Sequence, residues 1–367
     1  MNQDEADRLA YLTLALVPGI GRVRFDALLD EFGSPDAVLM ASQRDLGRVA
    51  GISRAAATAI RTASYETGTR VVESVRSMGG AILLREDREF PAALRDIPEA
   101  PTILFGIGKL GILQRPAVGI VGSRDHSPYG AKVCVALAEA AARVDLVVVS
   151  GMARGLDAVA HRAALDAGGA SVGVLGNGLG IIYPSANRKL YEQMTQNGCL
   201  ITEYGPGERP HAGSFPRRNR LISGLAAATV VVEARRGSGA LITAECALRQ
   251  GREVMAVPGP ITSSLSEGTN HLIQMGAKPV TNPRDMLEEY NVDPDVPQVS
   301  LPSDLSELER RVIELLADGV SHVDDLTARI ACEVTELLAT MTSLEIRGLV
   351  VQETRMQYAL NRSFAVR

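Results

Sequence analysis

Short apolar runs alternate with amphipathic stretches through the middle of the chain. The apolar runs end at glycine-rich turns, and the stretches between them show helical periodicity over residues 129–143, 155–167 and 188–196. The apolar runs are residues 146–149, 172–175 and 230–233. Strands that are apolar on both faces and separated by helices are typical of a parallel sheet covered by helices on both sides. The pattern therefore predicts an α/β fold with a doubly wound, mostly parallel sheet.

The N-terminal part has a helical pattern over residues 4–60, with breaks at residues 17–21 and 49–53. The two breaks resemble a double helix-hairpin-helix, or SAM-like, module. Such hairpins can hold a DNA backbone through amide N–H groups. The second hairpin has Ser53 in place of a glycine and the flanks are not basic, which favours packing or partner docking while leaving DNA binding open. Residues 81–84 and 102–105 are predicted to add edge strands to the sheet.

The C-terminal part has the pattern of a winged helix. Helical runs over residues 308–316, 323–330 and 334–347 precede a β-ribbon that opens at Gly348. The third helix of such a fold usually enters duplex DNA, but here acidic residues outnumber Arg347, which favours contact with a protein. Those acids are Glu333, Glu336 and Glu345.

The chain is thus predicted to contain four segments. A helical domain spans residues 1–75 and a sheet domain residues 76–290. A linker with Pro294, Pro297 and Pro302 spans residues 291–302, and a winged-helix domain spans residues 303–367.

Four glycine-rich turns follow the predicted strands, at residues 119–124, 150–157, 176–180 and 237–243. Ligands of open α/β sheets bind beyond the carboxyl ends of the strands, so the turns are predicted to line one crevice. Small residues, outward N–H groups at helix starts, hydroxyls and arginines are the chemistry of an anion site. The crevice is therefore predicted to bind a phosphate-bearing ligand, and Arg124 and Arg154 supply fixed positive charge.

Common nucleotide cofactors do not fit these turns. The first turn is not G-x-G-x-x-G, an acid to bind the ribose is missing, and no Walker A sequence occurs. Asp157 and His161 lie four residues apart and could act as an acid/base pair, but bracing of the second turn is favoured because no nucleophile elbow lies nearby. No catalytic residue and no cofactor are predicted.

Residues 209–220 contain four arginines, one histidine, one phenylalanine and no acid. An aromatic ring among arginines suits single-stranded nucleic acid, because Phe215 can stack on an unpaired base while cations meet phosphates. The cations are Arg217, Arg218 and Arg220. The alternative is a solvated basic loop with Phe215 in the core. Arg235 and Arg236 are expected to reach the same crevice.

Composition adds limits rather than a function. No apolar run approaches the length of about 20 residues that a membrane span needs, and the N-terminus is acidic, so a cytoplasmic protein is predicted. The isolated cysteines predict neither a disulfide framework nor a zinc site, and no metal is expected; they are Cys134, Cys199, Cys246 and Cys332. The net charge of −5 conceals a mildly basic middle, with 18 basic and 15 acidic residues over 111–290.

These motifs together resemble the DprA/Smf family of DNA-processing proteins. They are Gly119-Ile-Val-Gly-Ser-Arg124, Ser150-Gly-Met-Ala-Arg-Gly-Leu-Asp157, Gly176-Asn-Gly-Leu179 with Tyr183-Pro184, Phe215-Pro-Arg-Arg-Asn-Arg220, Val231-Val-Glu-Ala234, Ser238-Gly-Ala-Leu-Ile-Thr243 and Val257-Pro-Gly259. The resemblance implies an extended Rossmann-like domain that binds single-stranded DNA, forms homodimers and helps to load RecA during natural transformation.

The resemblance also assigns residues. It implies phosphate contacts at Gly122, Ser123, Arg124, Ser150, Gly151, Arg218 and Asn219, base stacking at Phe215, and completion of the pocket by Ser238, Gly239 and Thr243. The chain departs from the family pattern at Gly180, Gly237 and Ala240, which puts the strength of the fourth turn in doubt unless Arg235 or Arg236 compensates.

Two hypotheses of different classes follow. The first is a recombination mediator without catalytic activity. The second is an enzyme similar to the LOG-type phosphoribohydrolases, acting on nucleoside monophosphates with Glu245 as its acid, although their Pro-Gly-Gly-x-Gly-Thr run is missing. Residues 268–277 are the predicted dimer face.

Overall fold

The computed structural model describes residues 3–290, 299–300, 305–317, 322–330, 332–354, 356–360 and 364–365. The chain divides into two compact units, Met1–Glu289 and Tyr290–Arg367. The predicted linker over residues 291–302 lies outside the described residues except for 299–300. A boundary between a helical and a sheet domain near residue 75 remains a prediction.

The first unit is built on a sheet that has nine strands within the described residues. In chain order they are β1 Gly80–Leu84, β2 Ile103–Gly108, β3 Ala117–Val121, β4 Val147–Ser150, β5 Ser171–Val174, β6 Cys199–Thr202, β7 Ala228–Val231, β8 Glu253–Ala256 and β9 Lys278–Pro279. The spatial order is β1-β2-β6-β5-β4-β3-β7-β8-β9. In this spatial order, each strand from β6 through β5, β4, β3, β7 and β8 to β9 pairs parallel with the next. Strand β2 pairs antiparallel with β6 and with β1. The doubly wound sheet is confirmed, and both additional strands join one side of it, with β1 at the edge and β2 between β1 and β6.

The helices of the first unit pack on this sheet or against one another. In chain order they are α1 Gln3–Ala15, α2 Arg22–Phe32, α3 Pro35–Met40, α4 Gln43–Leu46, α5 Arg54–Arg61, α6 Tyr65–Ser77, α7 Pro128–Arg143, α8 Leu156–Asp166, α9 Arg188–Asn197, α10 Ser214–Leu225, α11 Gly239–Arg249, α12 Glu267–Gln274 and α13 Pro283–Leu287. The start of α7 shows why these boundaries form, because Ser127 accepts a hydrogen bond from the Gly130 amide and Pro128 occupies the first helical position.

The N-terminal helices share a hydrophobic core with the sheet. Tyr11 and Phe25 are buried in the same cluster as Phe105 of β2 and Leu200 of β6. Apolar burial on this scale is the main source of stability in a fold. The packing role predicted for the N-terminal hairpins therefore has a physical basis in this shared core.

The order of the strands reverses between β3 and β7. The chain leaves β3 for β4 on one side, and it returns to β7 on the other side only after β6. Ligands of open α/β sheets bind at such a switch point, outside the carboxyl ends of the strands. The loops after β3 and β7 are thus the place where a ligand site is expected.

The second unit contains α14 Glu307–Ala317, α15 Val323–Ile330 and α16 Val334–Ile346, followed by the antiparallel ribbon of β11 Val350–Thr354 and β12 Gln357–Leu360. The two-residue strands β10 Val299–Ser300 and β13 Phe364–Ala365 also pair. The core of the unit includes Val312, Leu326, Leu337 and Leu344. The predicted winged-helix arrangement is confirmed. In the part of the chain that the structure describes, no helix combines the length and apolar character that crossing a membrane requires.

Candidate nucleic-acid interface

A cleft of about 660 Å³ lies at the switch point between β3 and β7. We call it the switch-point cleft, and the first turn, the fourth turn and the start of α10 line it. The predicted site residues in its lining are Gly122, Ser123, Arg124, Phe215, Arg218, Asn219, Ser238, Gly239 and Thr243, together with Arg235 and Arg236.

A smaller pocket of about 280 Å³ adjoins the cleft. The second and third turns line it through Gly151, Arg154 and Gly176. Arg124, Phe215 and Arg218 line both cavities. The four glycine-rich turns therefore meet in one region, and Phe215 stands between its two compartments.

Close backbone packing holds the first two turns together. Gly155 has a φ of +86°, and a Cβ there would lie 2.4 Å from the Ser123 carbonyl oxygen and 2.5 Å from that of Arg124. Only glycine fits such a conformation and such an approach. The glycine requirement of the second turn thus arises from its contact with the first.

The rim of the cleft is cationic. Arg124, Arg235 and Arg236 are exposed, and none of them forms an ion pair within the described residues. Arg154 is exposed as well but pairs with Asp125 at 2.7 Å. Exposed cations around a concave surface attract a polyanion over a distance of about 10 Å, the screening length at moderate salt.

Helix α11 begins at this rim. The Ser238 side chain accepts a hydrogen bond from the Ala240 amide, and Gly239 is exposed with open space around its Cα. The N-terminus of a helix carries about half a positive charge and presents N–H groups to an anion. The fourth turn therefore has the physical properties of a phosphate-binding turn.

Phe215 is half-buried at the mouth of the site. Its ring centroid lies 5.4 Å from that of Tyr183, and the Arg124 guanidinium carbon lies 6.0 Å from its ring centroid. Its edge also packs against Gly176, where a Cβ would come within 2.8 Å of Phe215 Cδ1. These contacts hold the ring in place, and the residue remains partly accessible.

Arg218 forms the floor between the two cavities. Its Nη1 donates to the Gly151 carbonyl oxygen at 2.6 Å and to that of Val174, and its Nε donates to Asn219 Oδ1 at 3.2 Å. Burial lowers its pKa to about 10, against the attraction of Asp157. Asn219 in turn donates to the Gly239 carbonyl oxygen at 3.1 Å. These bonds connect the second turn, the end of β5 and the fourth turn.

The polar groups of the second turn are engaged within the fold. Ser150 Oγ donates to the Ile120 carbonyl oxygen at 2.7 Å, and the Gly151 amide donates to Asp157 Oδ2 at 3.1 Å. Burial raises the pKa of Asp157 despite the neighbouring Arg218. Ser150 and Gly151 thus support the site from below, rather than presenting a hydroxyl or an amide to a ligand.

His161 lies beneath the same turn and is fully buried. Its Nδ1 lies 2.7 Å from Ser171 Oγ, which itself donates to the Val148 carbonyl oxygen, so the ring donates to Ser171. Its Nε2 accepts from the Met152 amide at 3.4 Å. Burial lowers the His161 pKa to about 3, and the charge of Arg218 acts in the same direction. The arrangement is that of a neutral brace.

Some predicted residues lie elsewhere. Arg217 and Arg220 line a different groove, on another face of α10, and Arg220 is buried against Glu203 at 2.7 Å. Glu245 is exposed on α11 and is not part of the lining of the switch-point cleft. Asn187 occupies the N-cap position of α9 but does not cap the helix with its side chain, because its amide donates to the Met152 and Ala153 carbonyl oxygens at 3.0 and 3.2 Å.

Sequence reasoning missed helix α10 and the Tyr183–Phe215 contact. A signal for the helix was present, since Pro216 stands in its first turn and apolar residues follow at positions 221, 222 and 225. Nothing in the sequence indicates the ring contact, which depends on the relative position of two distant loops.

The acidic side chains predicted to limit DNA binding by the winged helix lie on or beside α16, and Arg347 pairs with Glu309 at 3.3 Å.

No cluster of three or more potential metal ligands occurs among the residues that the structure describes.

Comparison with known proteins gives a consistent result. The chain matches the family described as DNA recombination-mediator protein A over residues 81–291, and the DprA winged helix domain over residues 296–354. It is 40% identical over 295 residues to Protein Smf of Escherichia coli K12, covering 78% of this chain and 79% of that protein. It is 45% identical over 201 residues to DNA processing protein DprA of Streptococcus pneumoniae, covering 55% of this chain and 71% of that protein.

Solved structures agree. The X-ray structure of DprA from Streptococcus pneumoniae matches with a TM-score of 0.68 and 35% identity, over 76% of this chain and 97% of that one. A structure describing the single-stranded DNA binding mode of DNA processing protein A from Helicobacter pylori matches with a TM-score of 0.53 and 29% identity, over 58% of this chain and 95% of that one.

Proposed function

The chain belongs to the DNA recombination-mediator protein A family, and from this premise we propose that it binds single-stranded DNA in the switch-point cleft. The relative from Helicobacter pylori binds single-stranded DNA. The observation that carries the proposal is the combination, in one cleft, of unpaired rim arginines, the N-terminus of α11 with its exposed Gly239, and a partly accessible Phe215 ring.

In this proposal the site residues have distinct roles. Phosphates lie against the first and fourth turns and the rim arginines, while a base stacks on Phe215. The direct contacts come from Gly122, Ser123, Arg124, Ser238, Gly239 and Thr243, with Arg154, Arg235 and Arg236 at the rim. Ser150, Gly151, Arg218 and Asn219 shape the floor. Binding has little sequence preference, because every base offers a π-face and every nucleotide a phosphate.

The biological role follows from the family. We propose that the protein acts in the cytoplasm as a homodimer, protects incoming single strands during natural transformation and hands them to RecA. No turnover is expected. The alternative of an enzyme acting on nucleoside monophosphates has no structural observation in its favour, since Glu245 lies outside the cleft. Release of a free base from such substrates would support that alternative instead.

Fluorescence anisotropy with a labelled oligothymidylate tests the binding site. We compare the wild type with the double variant Arg124→Ala plus Arg236→Ala over a range of salt concentrations. The slope of log K against log salt is negative, and each phosphate contact on a single strand contributes about −0.7 to it. The double variant is therefore expected to have a slope that is less negative by about 1.4.

Arg143→Ala is the matched control. Arg143 is also an exposed arginine of the first unit, with 67% of its side chain accessible, and it lies at the far end of α7 from the cleft. It is expected to bind like the wild type. If the double variant keeps the wild-type affinity and slope, or if duplex of equal length binds as tightly as the single strand, the proposed site is wrong.

A further inference from the structure

A second groove, of about 600 Å³, lies on another face of α10. The first N-terminal hairpin, residues 17–24, forms one wall, and Glu203, Tyr204, Arg217 and Arg220 form the other. We call it the hairpin groove. Because α10 turns by 100° per residue, Phe215 and Arg218 face the switch-point cleft while Arg217 and Arg220 face the groove. One helix is therefore the shared wall of both cavities.

The hairpin presents an uncapped helix N-terminus to this groove. Gly21 occupies the N-cap position of α2, and no side chain caps the helix. Within the described residues the amides of Arg22, Val23 and Arg24 find no partner. These are the N–H groups that an α-helix leaves free for an anion.

The second hairpin of the same region differs at this point. Ser53 is the N-cap of α5, and its side chain accepts a hydrogen bond from the Ala56 amide at 3.2 Å. One hairpin thus satisfies its helix start internally, whereas the other leaves it available. If both hairpins served only packing, the absence of a side-chain cap at α2 and its presence at α5 would have no explanation.

An independent observation comes from the opposite wall. Arg220 has a relative exposure of 7% and is therefore more than nine-tenths buried. Of its three side-chain nitrogens, Nη2 donates to Glu203 Oε1 at 2.7 Å. Arg220 Nε and Nη1, and also Glu203 Oε2, are buried without a hydrogen-bond partner. Buried donors without a partner are costly in a low dielectric, and a ligand oxygen that accepts from the Arg220 guanidinium relieves this cost, although it leaves Glu203 Oε2 unsatisfied.

The charge of the groove is nearly balanced, because Arg22 pairs with Asp26 at 3.4 Å and Arg220 pairs with Glu203. Its lining contains four arginines, at positions 22, 24, 217 and 220, and three glutamates, at positions 99, 203 and 208. Glu203 is engaged by Arg220, and Glu208 accepts from the Gly205 amide at 3.2 Å. Arg217 is exposed, and Arg24 is half-buried with its Nη1 on the Gly19 carbonyl oxygen at 2.6 Å.

We propose that the hairpin groove is a second phosphate-binding subsite, which holds the continuation of the same single strand after the strand crosses α10. This inference rests on the proposed function. The crossing is short, because a helix with its side chains is about 10 Å wide. The exposed Arg217 lies on the path between Phe215 and the hairpin.

Binding of oligothymidylates of different length tests the subsite. A strand of about 4 nucleotides fills only the switch-point cleft, and one of about 16 nucleotides also reaches the groove. For the double variant Arg24→Ala plus Arg217→Ala we expect wild-type affinity for the short strand. For the long strand we expect about tenfold weaker binding and a salt slope reduced by about 1.4.

The double variant Arg48→Ala plus Arg54→Ala is the matched control. Its two arginines flank the second, capped hairpin, and Arg54 is the first residue of α5. The control is expected to match the wild type with both strand lengths. If the groove variant also matches the wild type with the long strand, or if both double variants weaken binding equally, the subsite does not exist.

The variant Gly21→Asp separates binding from folding. Gly21 has a φ of −91°, and its Cβ direction is open for 4 Å, so an aspartate fits and caps α2. The variant is expected to melt no lower than the wild type and to lose the same long-strand advantage, because the carboxylate occupies the amides and repels phosphate. Undiminished long-strand binding by Gly21→Asp overturns the subsite. Failure of the wild type to bind even short strands overturns the proposed function instead.

Discussion

Acidification should destabilise the first unit through one buried histidine. Both ring nitrogens of His161 are committed in the neutral form, with Nδ1 donating to Ser171 and Nε2 accepting from Met152. A second proton would make Nε2 a hydrogen-bond donor, so that two N–H groups, those of His161 Nε2 and Met152, would face each other. The folded pKa of about 3 lies below the ordinary value of 6.5, so the folded state takes up this proton later than the unfolded chain.

The sign and size follow from this difference. Stability from a depressed histidine pKa is fully present above pH 6.5 and is lost as the pH falls toward 3. Each pH unit inside this window costs about 1.4 kcal/mol, so the loss between pH 7 and pH 5 is about 2 kcal/mol. Asp157 acts in the opposite direction, because burial raises its pKa.

Urea unfolding followed by circular dichroism, at pH 7 and pH 5, measures the effect. His161→Gln keeps a polar side chain that does not titrate, and the contribution of Asp157 is shared by both proteins. The wild type is expected to lose about 2 kcal/mol more than the variant over this range. His271→Gln, at an exposed position of the same unit, controls for removal of an imidazole. Equal losses in wild type and His161→Gln would refute the neutral brace.

Three further substitutions test other parts of the site. Phe215→Ala should weaken oligothymidylate binding by about 1–3 kcal/mol without changing its salt slope, because a stacking surface and no phosphate contact is lost; anisotropy titrations decide this, and a changed slope would contradict it. Gly178→Ala should destabilise the first unit by about 2–3 kcal/mol in urea unfolding, because the Cβ of residue 178 would lie 1.8 Å from the Gly205 carbonyl oxygen. Unchanged stability would show that the loop at Gly205 moves away to accommodate the methyl group. Ser127→Ala removes the cap of α7 and the bond that the hydroxyl donates to the buried Glu233, whereas the bond from the backbone amide of residue 127 remains. A loss of about 1–3 kcal/mol is expected by the same measurement, and a smaller loss would contradict the role of the cap.

The sequence predicted most of the fold because its signals are local. All-apolar strands and glycine-rich turns are read from a few neighbouring residues, and both appear where they were expected. Helix α10 was missed because arginines dominate its first turns, so charge obscured the apolar spacing that begins only at Leu221.

The site was harder to predict because its details are not local. Spacing placed Ser150 and Arg218 correctly near the crevice, but it could not show that their polar groups turn inward to Ile120 and Gly151. The segment 209–220 was treated as one basic surface, whereas helical geometry sends Arg218 and Arg220 to different cavities. The directions of the Arg218 and Arg220 side chains follow from the geometry of α10, and the sequence analysis did not predict this helix.

The switch point also determines when the protein can first act during its synthesis. The first turn ends at Arg124 and the fourth begins at Gly237, 113 positions later along the chain. At typical elongation rates a ribosome needs on the order of ten seconds to cover that interval. Until the fourth turn has left the exit tunnel and β7 has joined β3, half of the cleft is missing. A growing chain that has not yet released the fourth turn therefore presents an incomplete cleft to a polynucleotide.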